Sequence, residues 1–520
     1  MFILVTVSIL LIAALILLAL RFTSGEYRYS WLISSIAALF AWMSVFAWQL
    51  GMPVQFQLPL WQPEAIFPQS PFFIANGIAW AFSLVLVSLC LAIILTAVIR
   101  ENFPYTLSWI GILILTALGV LAVTADNPLA LVLIWAALDV AELISQLRLV
   151  EQPQLSERVV IAFASRVTGT LILLWAGMIS LSNGVALDFR SPPPQAGLYL
   201  ILAAGLRLGV LPLHLPYPNE NAIRRGFGTG LRMISVGSSL TLITHIPASG
   251  LSSPWIPFLI LLIAFAGLYG AWMWLRVPDE LTGRPYFIIG MGSLALVAAS
   301  RGNPVGAAAW SLALILAGSA LFLASAQLRW LERALYFSVW LIMALPFSLT
   351  ASGWVTNGPS FWYAVPFLIV VHGMLIAGLI RHIQRSSSRT NFADQPLWAR
   401  NVYPIGILIL FITAILLVLF GWDGARQIGN WVAGLVSLLI AIGLIWLTPR
   451  VRILNPVRAH WVRPSNPPWL DWIYRTLWNV YRQLSQLSET LSNTLEGESG
   501  IMWTLLFLAL FISLFIQRTP

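Results

Sequence analysis

Lysine is absent from this 520-residue chain, so all 28 of its lysine-plus-arginine residues are arginine. A guanidinium stays protonated in proteins, whereas a buried ammonium can release its proton, so the arginines here can hold charge but not hand a proton on. Charge of either sign is scarce as well. Asp, Glu, Lys and Arg together make up 9% of the chain, against about 25% in a soluble globular domain, which excludes water as the main solvent. One cysteine, Cys90, lies inside an apolar run. It excludes a disulfide framework or a thiolate metal site within the chain and reads as a small buried hydrophobe. No Walker A loop, Rossmann glycine fingerprint or nucleophile elbow is present, and no two histidines have metal-ligand spacing. No cofactor or metal is therefore expected in this chain. The net charge of +9 comes without a helix-turn-helix spacing or an aromatic strand pattern beside an arginine run, which argues against nucleic acid.

What is present is hydrophobic sequence, 59% of all residues, in runs of the length that crosses a hydrocarbon core of about 30 Å as a helix. The runs lack the alternation of a membrane barrel, and backbone amides in lipid must be satisfied within their own segment. The expected fold class is thus all-α, a polytopic integral membrane protein with about sixteen spans. These fall at 2–20, 31–50, 72–99, 107–124, 128–147, 159–182, 196–213, 227–246, 255–275, 286–300, 307–327, 334–350, 361–380, 403–421, 430–447 and 501–517. The first run has no basic n-region or small-residue cleavage site, and reads as a span rather than a signal peptide.

Arginine placement gives an independent reading, because cytoplasmic loops are enriched in it. With the N-terminus outside, the inner loops hold Arg21, Arg100, Arg148, Arg224, Arg225, Arg276, Arg284, Arg329, Arg381 and Arg450 among others, whereas the outer loops hold Arg190, Arg301 and Arg426. The expectation is a multi-pass protein of the cytoplasmic membrane with both termini on the outer side. Residues 381–400 read as a polar linker. Residues 468–495 place Trp469, Trp472, Ile473, Leu477, Val480, Tyr481, Leu484 and Leu487 at helical spacing with Arg475 and Arg482 between them. That pattern reads as an interfacial amphipathic helix, either a surface anchor or a brace against neighbouring spans.

Ionisable groups inside spans are expensive and mark functional sites by default. In the fifth span, Asp139 and Glu142 are three residues apart and share a helix face, where they could carry protons or a cation. Alternatively, Glu142 pairs with Arg148, water or headgroups near the interface and Asp139 alone lies deep. Arg207 is embedded in the apolar seventh span and is followed by Pro212, His214, Pro216 and Pro218. The prolines break the helix and free carbonyls that must meet side chains or a polar cavity. His214 there could relay protons or cap loose carbonyls. Arg232, in the eighth span, could face the fifth-span carboxylates or snorkel to the surface. His245 and His372 stand alone in apolar sequence and read as core or interface residues.

The segment Gly205–Glu220 resembles the proton-conducting antiporter-like subunits of respiratory complex I, membrane-bound hydrogenases and Mrp-type antiporters. Leu211, Pro212, Leu213 and His214 match the Leu-Pro-Leu-His motif that follows a lysine in the family's broken seventh helix, and that lysine falls on Arg207. Weaker matches place the family's Trp-Glu pair on Trp135 and Ala136, and an Asp followed by a Tyr on Asp279 and Tyr286. The family's basic positions in the eleventh and twelfth helices have no counterpart.

The resemblance implies two inverted five-helix repeats, at 107–247 and 255–385, between N-terminal helices 1–100 and a C-terminal part 401–520 with the interfacial helix over 466–495. It implies a membrane subunit of an energy-converting oxidoreductase complex, such as an NADH:quinone oxidoreductase. The partners would be the lipid bilayer, other membrane subunits of that redox-driven complex, and protons or monovalent cations moving past Asp139, Glu142, Arg207, His214 and Arg232. The missing lysines leave open a spacer that no longer conducts. A second reading is a stand-alone secondary transporter or lipid-linked-substrate flippase that binds an anionic group through Arg207 and Arg232. An intramembrane enzyme fits least, since the outer loop 51–71 holds one acid, Glu64, and no catalytic pair.

Overall fold

The computed structural model describes residues 2–447 apart from 25–26, 28, 60–69, 101–103, 150–152, 191, 215–224, 247–252, 327–328, 356–361, 385–391, 393–394 and 422–425. Beyond 447 it describes seven residues between 472 and 486. Contacts divide the chain into two units, 1–464 and 465–520.

Among the described residues of the first unit, eleven helices are long and apolar enough to cross a membrane. They are α1 (Phe2–Ser24), α2 (Ser30–Ala47), α3 (Gly77–Thr96), α4 (Thr106–Thr124), α5 (Pro128–Leu149), α6 (Pro153–Ser182), α9 (Ile256–Arg276), α10 (Glu280–Ser300), α11 (Pro304–Leu323), α14 (Val365–Gln384) and α15 (Leu397–Phe420). Four further expected spans are helical but depart from a plain apolar rod. α7 (Gly197–Leu208) and α16 (Trp431–Leu447) are shorter, α8 (Arg225–Thr244) is rich in Gly, Ser and Thr, and 334–350 is broken. The expected span 501–517 lies outside the described residues.

The core is a group of helices buried on nearly every side, α3, α8, α10 and α11. Helices in lipid gain little from apolar contact alone and associate through close backbone approach at small residues. Gly270 of α9 shows this: a Cβ there would stand 2.9 Å from both the Gly290 nitrogen and the Tyr286 carbonyl of α10. Leucine and isoleucine side chains of α1, α2, α5, α6 and α15 remain exposed on the outer faces, as expected where lipid or another apolar chain replaces water.

The two breaks have local causes. α7 stops at Leu208 because Gly209 turns left-handed (φ 78°, ψ 18°), a conformation that side chains with a Cβ rarely adopt. Val210 and Leu211 then donate backward to the Gly205 carbonyl at 2.8 and 3.1 Å, the closure of a helix C-terminus, and Pro212 prevents its resumption. The expected span 196–213 is therefore helical only to Leu208. In the second case, the expected span 334–350 is two short helices, α12 (Arg329–Leu335) and α13 (Phe337–Ile342), followed by turns. The freed Leu341 carbonyl accepts from Thr350 Oγ1 at 2.9 Å, and the freed Ile342 carbonyl lies 2.6 Å from His372 Nε2 of α14.

The expected all-α class needs one correction. β1 (Val54–Gln57) and β2 (Phe72–Ala75) form an antiparallel hairpin in register Val54↔Ala75, Gln55↔Ile74, Phe56↔Phe73 and Gln57↔Phe72. The run beginning at residue 72 is thus a strand before it becomes α3 at Gly77. Asn76 separates the two by capping α3, accepting from the Ala79 N–H at 2.8 Å. Short apolar sequence does not by itself distinguish a strand from a helical turn.

β2 is tied to the loop after α4. Asp126 N–H donates to the Phe72 carbonyl at 3.0 Å, and the Asp126 carbonyl accepts from Phe189 N–H at 3.2 Å. The Asp126 carboxylate pairs with Arg190 at 2.5 Å, and burial nevertheless pushes its pKa up to about 6. His245, stacked 5.2 Å from the Phe189 ring, is pushed down to about 4 by burial and stays neutral across that range. A carboxyl whose pKa rises on folding stabilises the fold when protonated, fully below its unfolded value of 3.8, and loses this as pH climbs through about 6. Amide exchange at 125–127 and 187–190, corrected for intrinsic rates, should therefore speed up between about pH 5 and about pH 7.5, and Asp126→Asn should abolish the dependence.

In the second unit the described residues, Trp472, Arg475, Thr476, Asn479, Arg482, Gln483 and Gln486, are helical and exposed. Their spacing puts them on one face. Trp472, expected on the apolar side, belongs to this exposed stripe at 69% exposure. The other apolar residues of the expected interfacial helix lie outside the described residues.

Candidate functional site

Asp139 and Glu142 point inward from α5 because the buried face of that helix runs through Leu131, Trp135, Leu138, Asp139, Glu142 and Gln146. Both carboxylates are about 1% exposed, as are the arginines they meet: Arg166 of α6, Arg207 of α7 and Arg232 of α8. The five groups alternate in sign in a chain of pairwise contacts. Arg207 forks onto Asp139, Nη1 to Oδ2 and Nη2 to Oδ1, each at 2.7 Å. Asp139 Oδ1 lies 3.7 Å from Arg166 Nε, Arg166 Nη1 pairs with Glu142 Oε2, and Glu142 Oε1 accepts from Arg232 Nη1 at 2.6 Å. The row Arg207, Asp139, Arg166, Glu142, Arg232 ties four helices together, and three guanidinium groups against two carboxylates leave one net positive charge.

Neutral side chains complete the row. Arg207 Nε donates to Ser239 Oγ at 3.2 Å, and its Nη1 also reaches Thr170 Oγ1 at 3.1 Å and the Arg166 carbonyl at 3.3 Å. Gln146 Nε2 donates to Glu142 Oε1 at 2.7 Å. The Trp135 ring lies under the Arg207 guanidinium at 4.2 Å, a cation–π contact strengthened by exclusion of water. Gly169 gives the Arg207 stem its passage between α6 and α7, since a Cβ at 169 would stand 2.8 Å from Arg207 Cγ and 3.0 Å from the Ala203 carbonyl. Charged pairs out of water are tolerable only with this kind of satisfaction; removing one partner of such a pair costs about 3–5 kcal/mol.

Four of the five sequence candidates therefore meet: Asp139, Glu142, Arg207 and Arg232. The alternative in which Glu142 turns to Arg148 and the interface does not hold, nor does a snorkelling Arg232. His214 stands apart from the row. It is buried, and its Nδ1 lies 2.8 Å from the Pro212 carbonyl, in the turn that follows the α7 break. Arg166 was missed by the sequence reading, although an arginine in the middle of the run 159–182 satisfies the same criterion that selected Arg207 and Arg232. Residue 136, which the sequence reading aligns with the family's glutamate, faces outward from α5, whereas positions 139 and 142 face the arginines.

The second broken helix has a different lining. His372 is fully buried between Trp310 and Trp354, with ring centroids at 4.9 and 6.1 Å, and it covers the Ile342 carbonyl. Among the described residues no acidic side chain pairs with it. No group of three or more metal-ligating side chains occurs among them either.

No family profile matches the sequence, and no curated protein matches it. Among solved structures, a chain of the Mrp complex from Dietzia sp. DQ12-45-1b superposes on 100% of this chain with a TM-score of 0.69 and 13% identity. This chain spans 63% of that chain's length. A chain of the membrane-bound sulfane sulfur reductase, an archaeal respiratory membrane complex, covers 98% of this chain and is itself covered over 100% of its length, with a TM-score of 0.57 and 13% identity. The resemblance read from Gly205–Glu220 is thereby borne out at the level of the fold.

Proposed function

We propose that this chain is an antiporter-like membrane subunit of an energy-converting complex, and that the charged row between α5 and α8 holds helices and charge in place rather than relaying protons. Its shared fold with chains of two multi-subunit membrane complexes supports the first part. The second part rests on one observation: every cationic position in the row is an arginine, and Asp139 is clamped by Arg207 in a two-bond fork. A proton wire needs groups that take and give protons in turn, and a guanidinium gives none up near neutral pH. The two expected repeats fit this reading, with α4–α8 carrying the arginine row and α9–α14 a lone histidine at the second break. Membership of a complex also explains the exposed apolar faces of α5 and α6, which neighbouring subunits would cover as well as lipid.

The test pairs isolation with transport. The tagged chain, extracted in mild detergent from its native membrane, should bring further membrane subunits with it; recovery as a stable, active monomer would sink the proposal in favour of a stand-alone transporter. The double variant Arg207→Met with Asp139→Leu removes the fork without leaving a charge alone. Vesicles carrying it in the assembled complex should show the same coupled proton movement as wild type. Loss of that movement with assembly intact would mean that the row conducts.

A further inference from the structure

A second group of arginines lies at the end of the bundle where α8 and α10 begin, the arginine-rich end. Arg225, the first residue of α8, donates through Nη1 to the carbonyls of Phe322 and Ala324 at 3.0 and 2.8 Å, and its Nη2 pairs with Glu280 at 2.7 Å. Arg100, just past α3, lays its guanidinium on the α8 backbone at Gly226, the residue after Arg225, where no side chain would fit. Arg284, one turn into α10 and fully buried, has its guanidinium 5.4 Å from the Phe322 ring. The Arg225–Glu280 pair is the ion pair that ties the start of α8 to the start of α10.

Tyr403 of α15 borders the same place. Its hydroxyl oxygen accepts from the Ser325 and Ala326 N–H groups at 2.7 and 3.2 Å. That leaves its own O–H, fully buried, as a donor with no acceptor among the described residues. Arg100 Nε is likewise buried without one. Burial and the neighbouring Arg225 charge push Arg100 down to about 10, so it remains charged near neutral pH. The Arg225 side chain is 18% exposed, so the group opens to the outside rather than being sealed. The positive ends of α8 and α10 add to the field.

We infer that Arg100, Arg225 and Tyr403 form a binding site for a phosphate oxyanion, supplied either by the headgroup of an anionic lipid or by free phosphate. Guanidinium forks match phosphate oxygens in geometry and are weakly hydrated, which suits a partly enclosed site. The phosphate would accept from the Tyr403 hydroxyl and from Arg100 Nε, the two buried donors left without an acceptor among the described residues. This site is independent of the row between α5 and α8 and of any transport role.

The full chain, or the complex containing it, is purified in mild detergent and stripped of lipid. Thermal stability and native mass are then measured with short-chain phosphatidylglycerol, with inorganic phosphate, and with phosphatidylcholine as a zwitterionic control. Phosphatidylglycerol should raise the melting temperature and stay bound where phosphatidylcholine does not; a matching rise with inorganic phosphate alone would assign the site to the free anion. Arg100→Gln and Tyr403→Phe, which leave the Arg225–Glu280 pair intact, should each weaken that binding roughly tenfold or more, as loss of a hydrogen bond to a charged group does. Either no anion-dependent rise in wild type, or a rise unchanged in both variants, would overturn the inference. The second result would mean that the chain's own carboxylates neutralise the group.

Discussion

Arg207→Met should lower the stability of the folded chain by about 3–5 kcal/mol, an effect measurable as a large drop in melting temperature in detergent or in the fraction of chain that assembles. The variant keeps the volume of the Arg207 stem, so the passage beside Gly169 stays filled. What it removes is the fork to Asp139, the bonds to Ser239 and Thr170, and the cation over Trp135. Asp139 is then left with Arg166 at 3.7 Å as its one charged neighbour, a distance too long for a good hydrogen bond. A buried charge that loses its partner costs far more than the pair contributed, because the pair had already offset most of its own desolvation. Adding Asp139→Leu to Arg207→Met should therefore recover most of the loss. The cycle has a definite sign: the double variant must be more stable than Arg207→Met alone. Equal or lower stability would show that the fork contributes net stability beyond compensating for burial.

Much of this was legible in the chain. Long apolar runs can be little other than spanning helices, and ionisable residues within them are rare enough to be picked out singly, so Asp139, Glu142, Arg207 and Arg232 were found from sequence. Their mutual contact needed the three-residue spacing on α5, which put both carboxylates on one face, and the arginines of three other helices to turn toward it. Two features were not legible. The break at Ile342 has no histidine motif like that after Leu208, and Pro346 comes only four residues later; the freed carbonyls are held by Thr350 and His372, residues that look unremarkable in a line of sequence. The strand at 72–75, Phe-Phe-Ile-Ala, has the same apolar composition as the start of a span, and only its pairing with 54–57 makes it a strand. Arg166 is a different kind of omission. Its run reads as one apolar span, in which a single charge is easily passed over, though it is buried as deeply as Arg207.

Glu142 carries more of the row than Asp139 does, and its removal should show it. Glu142 stands between Arg166 and Arg232 and also accepts from Gln146. In Glu142→Gln a neutral amide faces two guanidinium groups, which raises the net charge of the buried row from one positive to two, with the countercharge lost from the midpoint between the cations. Like charges in a water-excluded space repel with little screening. Glu142→Gln should therefore destabilise the chain by at least the roughly 3–5 kcal/mol typical of a broken buried pair, although it changes shape less than Arg207→Met. Combining it with Arg166→Met restores the net charge to one and removes the facing cation, so the double variant should be more stable than Glu142→Gln alone. Glu142→Gln with Gln146→Leu changes no further charge and should give no such rescue. Thermal unfolding of these variants in one detergent separates two explanations. Rescue by Arg166→Met alone identifies charge balance as what the row is built to hold. Equal behaviour of the two doubles would mean that hydrogen-bond satisfaction, and not charge, sets the stability of this part of the membrane core.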